Sequence, residues 1–163
     1  MAYLYAVLYS PSFRSRYYDF LKRNFPRVPL TTNRELFDRL VTLGCELIAL
    51  HTMQVTLPRI TRYDVAGSSE VVTVRYAPAA DSAAGRVYIN AAQYFDEVPQ
   101  AVWDTHIGGY RVAEKWLKDR KGRMLNYDDI THYQAVIAAL ARTLDLQSRI
   151  DVALDGAGGW PLA

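Results

Sequence analysis

The sequence predicts an α+β domain with helices at both ends flanking a small antiparallel β-meander, and three observations carry that prediction. Apolar residues recur at helical spacing toward both termini, short β-branched and aromatic runs occupy the middle, and Gly, Ser and Asp clusters separate those runs. A chain of 163 residues, half of them apolar and 22% charged, is long enough for one packed core and too apolar to remain disordered. No internal repeat or low-complexity linker divides it. Residues 1–151 therefore read as one domain and 152–163 as a flexible C-terminal tail.

Ser10-Pro11 signals a helix start, with the hydroxyl as cap and the proline ring preset for the first turn. Phe13, Tyr17, Phe20 and Leu21 then recur at i, i+4, i+7 and i+8. This spacing predicts one amphipathic helix ending near Pro26, with Arg14, Arg16, Lys22 and Arg23 off its apolar face. Pro26 to Pro29 form a stiff extended connector, since each proline restricts itself and the residue before it. From Asn33 to about His51, apolar residues fill more than one stripe, which predicts a largely buried helix with Cys45 as a small core residue.

The period then changes. Residues 59–65, 70–76 and 86–90 are rich in β-branched and aromatic side chains, and Gly67-Ser68-Ser69 and Asp81 to Gly85 lie between them. Three strands in a meander follow from that pattern, with Val72, Val74 and Tyr76 on one face of the second. Gly108-Gly109 breaks the chain before a helix from Tyr110 to Lys121, on which Arg111, Lys115 and Lys118 align at i, i+4 and i+7. Trp103 and Trp116 are expected in the core. Asn126 and Asp129 have capping spacing and open a long amphipathic helix through Ile130, Tyr133, Ile137, Leu140 and Leu144.

No uncharged run reaches the length of a membrane-spanning helix, and the N-terminal stretch lacks the pattern of a secretory signal. Cys45 has no internal disulfide partner, so a reducing cytoplasm is the expected location. The net charge of +2 is too mild to name a partner, but its distribution is uneven. Residues 1–30 carry +4 and residues 111–125 carry +4, whereas 31–110 and 126–163 each carry −3. Two such cationic stretches suit a polyanion if the fold brings them into one groove.

Motifs for chemistry are scarce. His51, His106 and His132 are too dispersed for a metal site, so none is expected. There is no Gly-x-Ser-x-Gly elbow and no Walker loop. Asp128-Asp129 read as helix-start residues, and Asp96-Glu97 before Pro99 as a second possible helix start. The glycine cluster in Val152 to Gly159 lacks the following helix that a phosphate-binding turn requires. No catalytic residue is nominated.

The segment Tyr3-Leu-Tyr-Ala-Val-Leu-Tyr-Ser-Pro-Ser-Phe-Arg-Ser-Arg-Tyr17, with Phe20-Leu-Lys and Phe25-Pro-Arg-Val-Pro-Leu30 after it, resembles the opening of the C-terminal specificity domain of type ISP restriction-modification enzymes. Ile107-Gly-Gly-Tyr110, Lys115-Trp-Leu-Lys-Asp-Arg-Lys121 and Ile130-Thr-His-Tyr133 resemble the later half of the same domain. The resemblance implies a target recognition module for double-stranded DNA, non-catalytic by itself. In that family it is joined to a nuclease, an ATP-driven translocase and an adenine-N6 methyltransferase. The chain departs from the family pattern in lacking those three parts, including any Asn-Pro-Pro-Tyr motif, and reads as a C-terminal piece of such a polypeptide. S-adenosylmethionine, ATP and magnesium are accordingly expected only in the missing domains and not here. The methyltransferase domain is the implied protein partner, and no membrane is.

Under that reading, basic side chains hold phosphates while a few groups reach base edges in the major groove. The first role falls to Arg14, Arg16, Arg111, Lys115, Lys118, Lys121 and Arg123, with the amides of Gly108 and Gly109 close to a phosphate. Arg59, Arg62, Arg75 and Arg86 are the candidates for guanine, and Asn90 or Gln93 for adenine. The rival reading is an interaction module that docks onto the methyltransferase or clamps DNA without reading bases.

Overall fold

Burial in a computed structural model, which describes residues 1–162, follows the amphipathic patterns at both ends of the chain. The elements in order are α1 (Ala2–Tyr9), α2 (Pro11–Arg16), α3 (Tyr18–Arg23), α4 (Arg34–His51), β1 (Arg75–Pro78), β2 (Ala84–Tyr88), β3 (Tyr94–Pro99), α5 (Gln100–Trp103), β4 (His106–Ile107), β5 (Tyr110–Arg111), α6 (Val112–Lys118) and α7 (Tyr127–Gly156). The α+β class with terminal helices and a small antiparallel meander is as the sequence predicts. The chain forms two compact units, Met1–Val55 with Arg142–Ala163, and Thr56–Ala141. Helix α7 contributes its first half to the second unit and its second half to the first.

In the first unit, Ser10 caps a helix as expected, its Oγ accepting from the Phe13 N–H. The helix is not single, however. Tyr17 leaves helical geometry at φ −105° and ψ 21°, so α2 and α3 are separate short helices. The apolar spacing of Phe13, Tyr17, Phe20 and Leu21 runs across the break at Tyr17, which is why periodicity alone reads the two as one. Ahead of them lies α1, whose AYLYAVLY sequence has no polar face and hence no amphipathic signature. It packs on α4, and the approach is so close that a Cβ on Gly44 would lie 2.0 Å from the Ala2 carbonyl oxygen. The buried ridge of α4 is Leu36, Leu40, Leu43, Gly44, Leu47 and Leu50. Cys45 falls off that ridge and is exposed, which corrects its assignment to the core.

The segment expected as a tail is partly built into this unit. Helix α7 continues to Gly156, where Ala153 and Leu154 are buried. Beyond it, the Trp160 ring packs 5.0 Å from Phe13 and its Nε1–H donates to Ser12 Oγ at 2.9 Å. The apolar period of α7 simply runs past Asp151, whose carboxylate accepts from Ser10 Oγ at 2.6 Å and Ser12 N–H at 3.0 Å. Gly158 and Gly159 have positive φ and donate back to the last turn, so the glycine run terminates the helix. Ala163, the last residue of the expected tail, lies outside the described residues.

In the second unit the sheet runs β1-β2-β3, antiparallel throughout, but shifted along the chain from the expected strands. Residues 59–65 contribute one isolated bridge, Arg62 to Asp96, and 70–76 contribute Arg75, Tyr76 and a bridge from Glu70 to Met124. Strand β3 is the one not anticipated. Its two acidic residues fall side by side at Asp96 and Glu97 and break the alternation by which a strand is recognised, leaving Phe95 and Val98 buried three apart. The helix start expected at Asp96-Glu97 comes instead at Gln100, after Pro99.

The inner face of the sheet packs Val87, Phe95 and Val98 beneath Trp103 and Tyr133, with Phe95 and Tyr133 ring centroids 4.4 Å apart and Tyr76 stacked on Trp103 at 5.4 Å. Trp103 is buried as expected, whereas Trp116 is half-buried. Helix α7 opens on the predicted cap, Asn126 Oδ1 accepting from Asp129 N–H at 2.8 Å and Asp129 Oδ2 from Asn126 N–H at 3.3 Å. Among the described residues no helix is long and apolar enough to cross a membrane.

Candidate nucleic-acid interface

Strand pleating puts Arg75, Arg86, Tyr88, Tyr94 and Asp96 on the outer face of the meander, opposite the buried Val87 and Phe95. Arg75 pairs with Tyr88 in the ladder, and its guanidinium lies over that ring at 4.3 Å. Arg86 lies over Tyr94 at 4.5 Å and bridges to Asp96 at 3.2 Å. Hydrogen bonding to Asp96, then to Tyr88, holds the Arg86 guanidinium above its usual pKa. The aromatic rings support the guanidinium planes while the charged edges stay wet.

The sheet is irregular at one point. Gly85 pairs with Val98 and Val87 with Phe95, so Arg86 alone opposes both Asp96 and Glu97. The extra residue is a β-bulge, and Glu97 adopts φ +61° within it. Its carboxylate reaches Arg62 Nη2 at 2.9 Å, and Arg62 Nε lies 3.8 Å from Asp64. The Arg62 backbone is itself tied down, exchanging hydrogen bonds with Asp96 at 2.8 and 3.2 Å. Two open clefts, of about 510 and about 500 Å³, flank the bulge and share Arg62 and Glu97 in their walls. Arg59 lines the second, where hydrogen bonding to its guanidinium, then to Thr131, holds the exposed Tyr127 phenol below its usual pKa.

The remaining nominated residues divide clearly. Gly108 and Gly109, at φ +61° and +85°, form the two-residue loop of the hairpin β4-β5, with open space around both. A loop with both residues at positive φ requires this chemistry, so the hairpin accounts for the glycines by itself. Arg111 bridges to Asp104 at 3.3 Å, Lys115 to Asp119 at 2.7 Å and Lys118 to Glu114 at 2.8 Å. Exposed pairs of this type contribute roughly 0.2–1 kcal/mol, little enough to be exchanged for a phosphate. Lys121 and Arg123 are exposed and have no carboxylate partner among the described residues. The same holds for Arg14 and Arg16 on α2, which belong to the first unit while all the others belong to the second.

Asn90 and Gln93 turn their polar groups to the surrounding chain. Gln93 is 2% exposed, its Oε1 accepting from Ser69 N–H at 2.7 Å and its Nε2 donating to the Val65 carbonyl at 3.0 Å. Asn90 donates to Glu70 O and Gln93 Oε1 and accepts from the amides of Ala92 and Gln93. Every polar group that would face adenine is already used to close the loop. Sequence reasoning missed Tyr88, Tyr94, Asp96 and Glu97, and the adjacent acids inside an aromatic run were the available signal of a bulge.

A family model described as the Type ISP C-terminal specificity domain matches residues 1–149. Among solved structures, the chain is similar to a nuclease-deletion mutant of the Type ISP restriction-modification enzyme LlaGI in complex with a DNA substrate mimic. The TM-score is 0.68 and the identity 20%, over 91% of this chain and 13% of that one. The ATP-dependent Type ISP enzyme LlaBIII bound to DNA gives a TM-score of 0.69 at 17% identity, over 92% of this chain and 11% of that one. A DrdV–DNA complex gives 0.68 at 21%, over 91% and 17%. At these identities the likeness is one of fold, and the chain spans 11–17% of the length of those proteins. No curated protein matches the chain.

Proposed function

The chain belongs to the family of Type ISP C-terminal specificity domains, and from that premise we propose that it recognises a target sequence in double-stranded DNA for a longer restriction-modification polypeptide. Catalysis, with its S-adenosylmethionine, ATP and magnesium, lies elsewhere in that polypeptide, and its adenine-N6 methyltransferase domain is the partner against which this domain works. The family match over nearly the whole chain is the observation that carries the reading. The arginine-bearing outer face of the meander supports it. Arg75 and Arg86 are exposed and stacked on the rings beneath them, and Arg86, paired with Asp96 at the surface, lines an open cleft.

In this reading Arg75 and Arg86 on the sheet, with Arg59 and Arg62 on the segment before it, approach base edges, where a guanidinium matches the O6 and N7 acceptors of guanine. Arg111, Lys115, Lys118, Lys121 and Arg123, with the Gly108-Gly109 hairpin, hold phosphates and set register. Arg14 and Arg16 do the same from the first unit.

Fluorescence anisotropy with a labelled duplex across a salt series tests the proposal. Log affinity falls linearly with log salt, by about 0.9 for each phosphate neutralised. A duplex selected from a randomised pool binds at least tenfold tighter than a scrambled one. Equal affinity for all duplexes would reject sequence reading and leave a sequence-blind clamp.

A further inference from the structure

We propose that Asp96 and Glu97, turned out of the sheet by the β-bulge beside Arg86 and Arg62, are specificity-determining residues, and that these two acid–arginine pairs select a G·C base pair. The proposal rests on the DNA-reading function above and assigns to it a base pair and two residues.

The bulge is the first argument. A single extra residue in β3 sets Asp96 and Glu97 against Arg86, and bulges commonly serve to re-aim side chains next to functional sites. The second is backbone strain. Glu97 sits at φ +61°, a region that few residues other than glycine occupy. What it gains locally is an ion pair to Arg62, with side chains 51% and 59% accessible, and a hydrogen bond from its own N–H to Asp96 Oδ1 at 3.0 Å, both exposed contacts that contribute little to stability. A left-handed residue that the fold does not repay is a mark of function rather than of stability.

The third argument is geometry. Arg62 and Arg86 are held from below, the one by its backbone bridge to Asp96, the other by the Tyr94 ring. Both charged heads are exposed beside the two open clefts, Arg62 in the walls of both and Arg86 in the wall of the first. Small residues, Ala77, Ala84 and Gly85, line the first cleft and leave its floor near backbone level.

The chemistry then chooses the pair. Across the major groove a G·C pair presents two acceptors, N7 and O6, followed by the N4 amino donor of cytosine. A guanidinium offering two donors beside a carboxylate acceptor is the complement of that order. An A·T pair presents acceptor, donor, acceptor, so the second guanidinium donor would meet the adenine amino group and the carboxylate would meet thymine O4. Both mismatches are repulsive. The same carboxylates also repel phosphates, so in unselected DNA they lower the affinity that Arg62 and Arg86 would otherwise supply.

The experiment is selection by this chain from a pool of duplexes with a randomised central segment, followed by anisotropy on the enriched duplex and its single-pair variants. The enriched motif carries at least one fixed G·C position. Asp96→Asn and Glu97→Gln each reduce discrimination at such a position about tenfold or more, with unrelated duplex bound as tightly as before or tighter, while Asp64→Asn, an equal change of charge nearby, leaves the motif intact. Glu97→Gly relieves the left-handed backbone, so it melts no lower than the parent chain yet loses the same preference, which separates reading from folding. An enriched motif unchanged in Asp96→Asn, Glu97→Gln and Glu97→Gly overturns the inference and leaves DNA reading standing, as does a uniform loss of affinity across sequences. No enrichment by the parent chain overturns the DNA-reading function itself.

Discussion

His51 shows how a single half-buried group couples this fold to pH. Its Nδ1 is 2.8 Å from the Tyr5 hydroxyl and its Nε2 is 2.9 Å from Thr143 Oγ1, with the Tyr9 ring packed alongside at 4.9 Å. Burial disfavours the imidazolium and pushes the His51 pKa below its usual 6.5. The unfolded chain then binds the proton more readily than the folded one. Stability is complete above pH 6.5 and is lost as pH falls toward the depressed folded value. Thermal melts between pH 8 and pH 5 show the decline, and His51→Gln flattens the part of it that begins near neutrality. Tyr133 makes the opposite kind of case. It is 0% exposed and its hydroxyl has no hydrogen-bond partner among the described residues, so desolvation drives its pKa far upward. Tyr133→Phe removes an unsatisfied buried polar atom while keeping the ring against Phe95 and Trp116. Denaturant titration gives a gain of about 1 kcal/mol.

At the scale of elements, the contact of α1 with α4 depends on one missing side chain. Gly44→Ala sets a methyl against the Ala2 carbonyl, and backbone on both sides leaves nothing flexible to yield. The variant loses roughly 2–3 kcal/mol, read by denaturant titration, as overpacked sites do. The caps are more modest. Asn33 Oδ1 accepts from the Leu36 N–H at the head of α4 and Asn126 Oδ1 from Asp129 at the head of α7. Asn126→Ala costs about 1 kcal/mol in the same measurement and exposes Asp129 to a weaker hold on Arg120, 3.5 Å away. Strands respond to other rules. A helix is specified by its own residues, whereas β3 exists because β2 supplies its partner, and the bulge at Asp96-Glu97 hides its period from any window along the chain.

For the whole molecule, the cationic charge lies partly in each unit. Arg14 and Arg16 are on α2 of the first, and Lys121 and Arg123 follow α6 in the second, all four without carboxylate partners among the described residues. Each double alanine variant, if both of its side chains touch phosphates, lowers the slope of log affinity against log salt by about 1.8, and affinity falls equally for every sequence. A slope unchanged for Arg14→Ala with Arg16→Ala would confine the DNA surface to the second unit. A slope unchanged for Lys121→Ala with Arg123→Ala would remove the region after α6 from it.

The Ser10 and Asn126 caps, the Gly108-Gly109 turn, the long helices α4 and α7 and the α+β class were determined by the sequence alone, because each depends on residues within a few positions of one another. The family likeness was equally legible, since long ordered blocks survive where single motifs do not. Tertiary structure decided the rest. It placed β3 and its bulge, buried Gln93 behind a loop, exposed Cys45, and seated Trp160 against Phe13. It also divided the cations into those held by a carboxylate and those with no carboxylate partner among the described residues. These outcomes depend on partners distant in sequence, whose positions are set by packing and by the satisfaction of buried polar groups, and neither leaves a periodic trace along the chain.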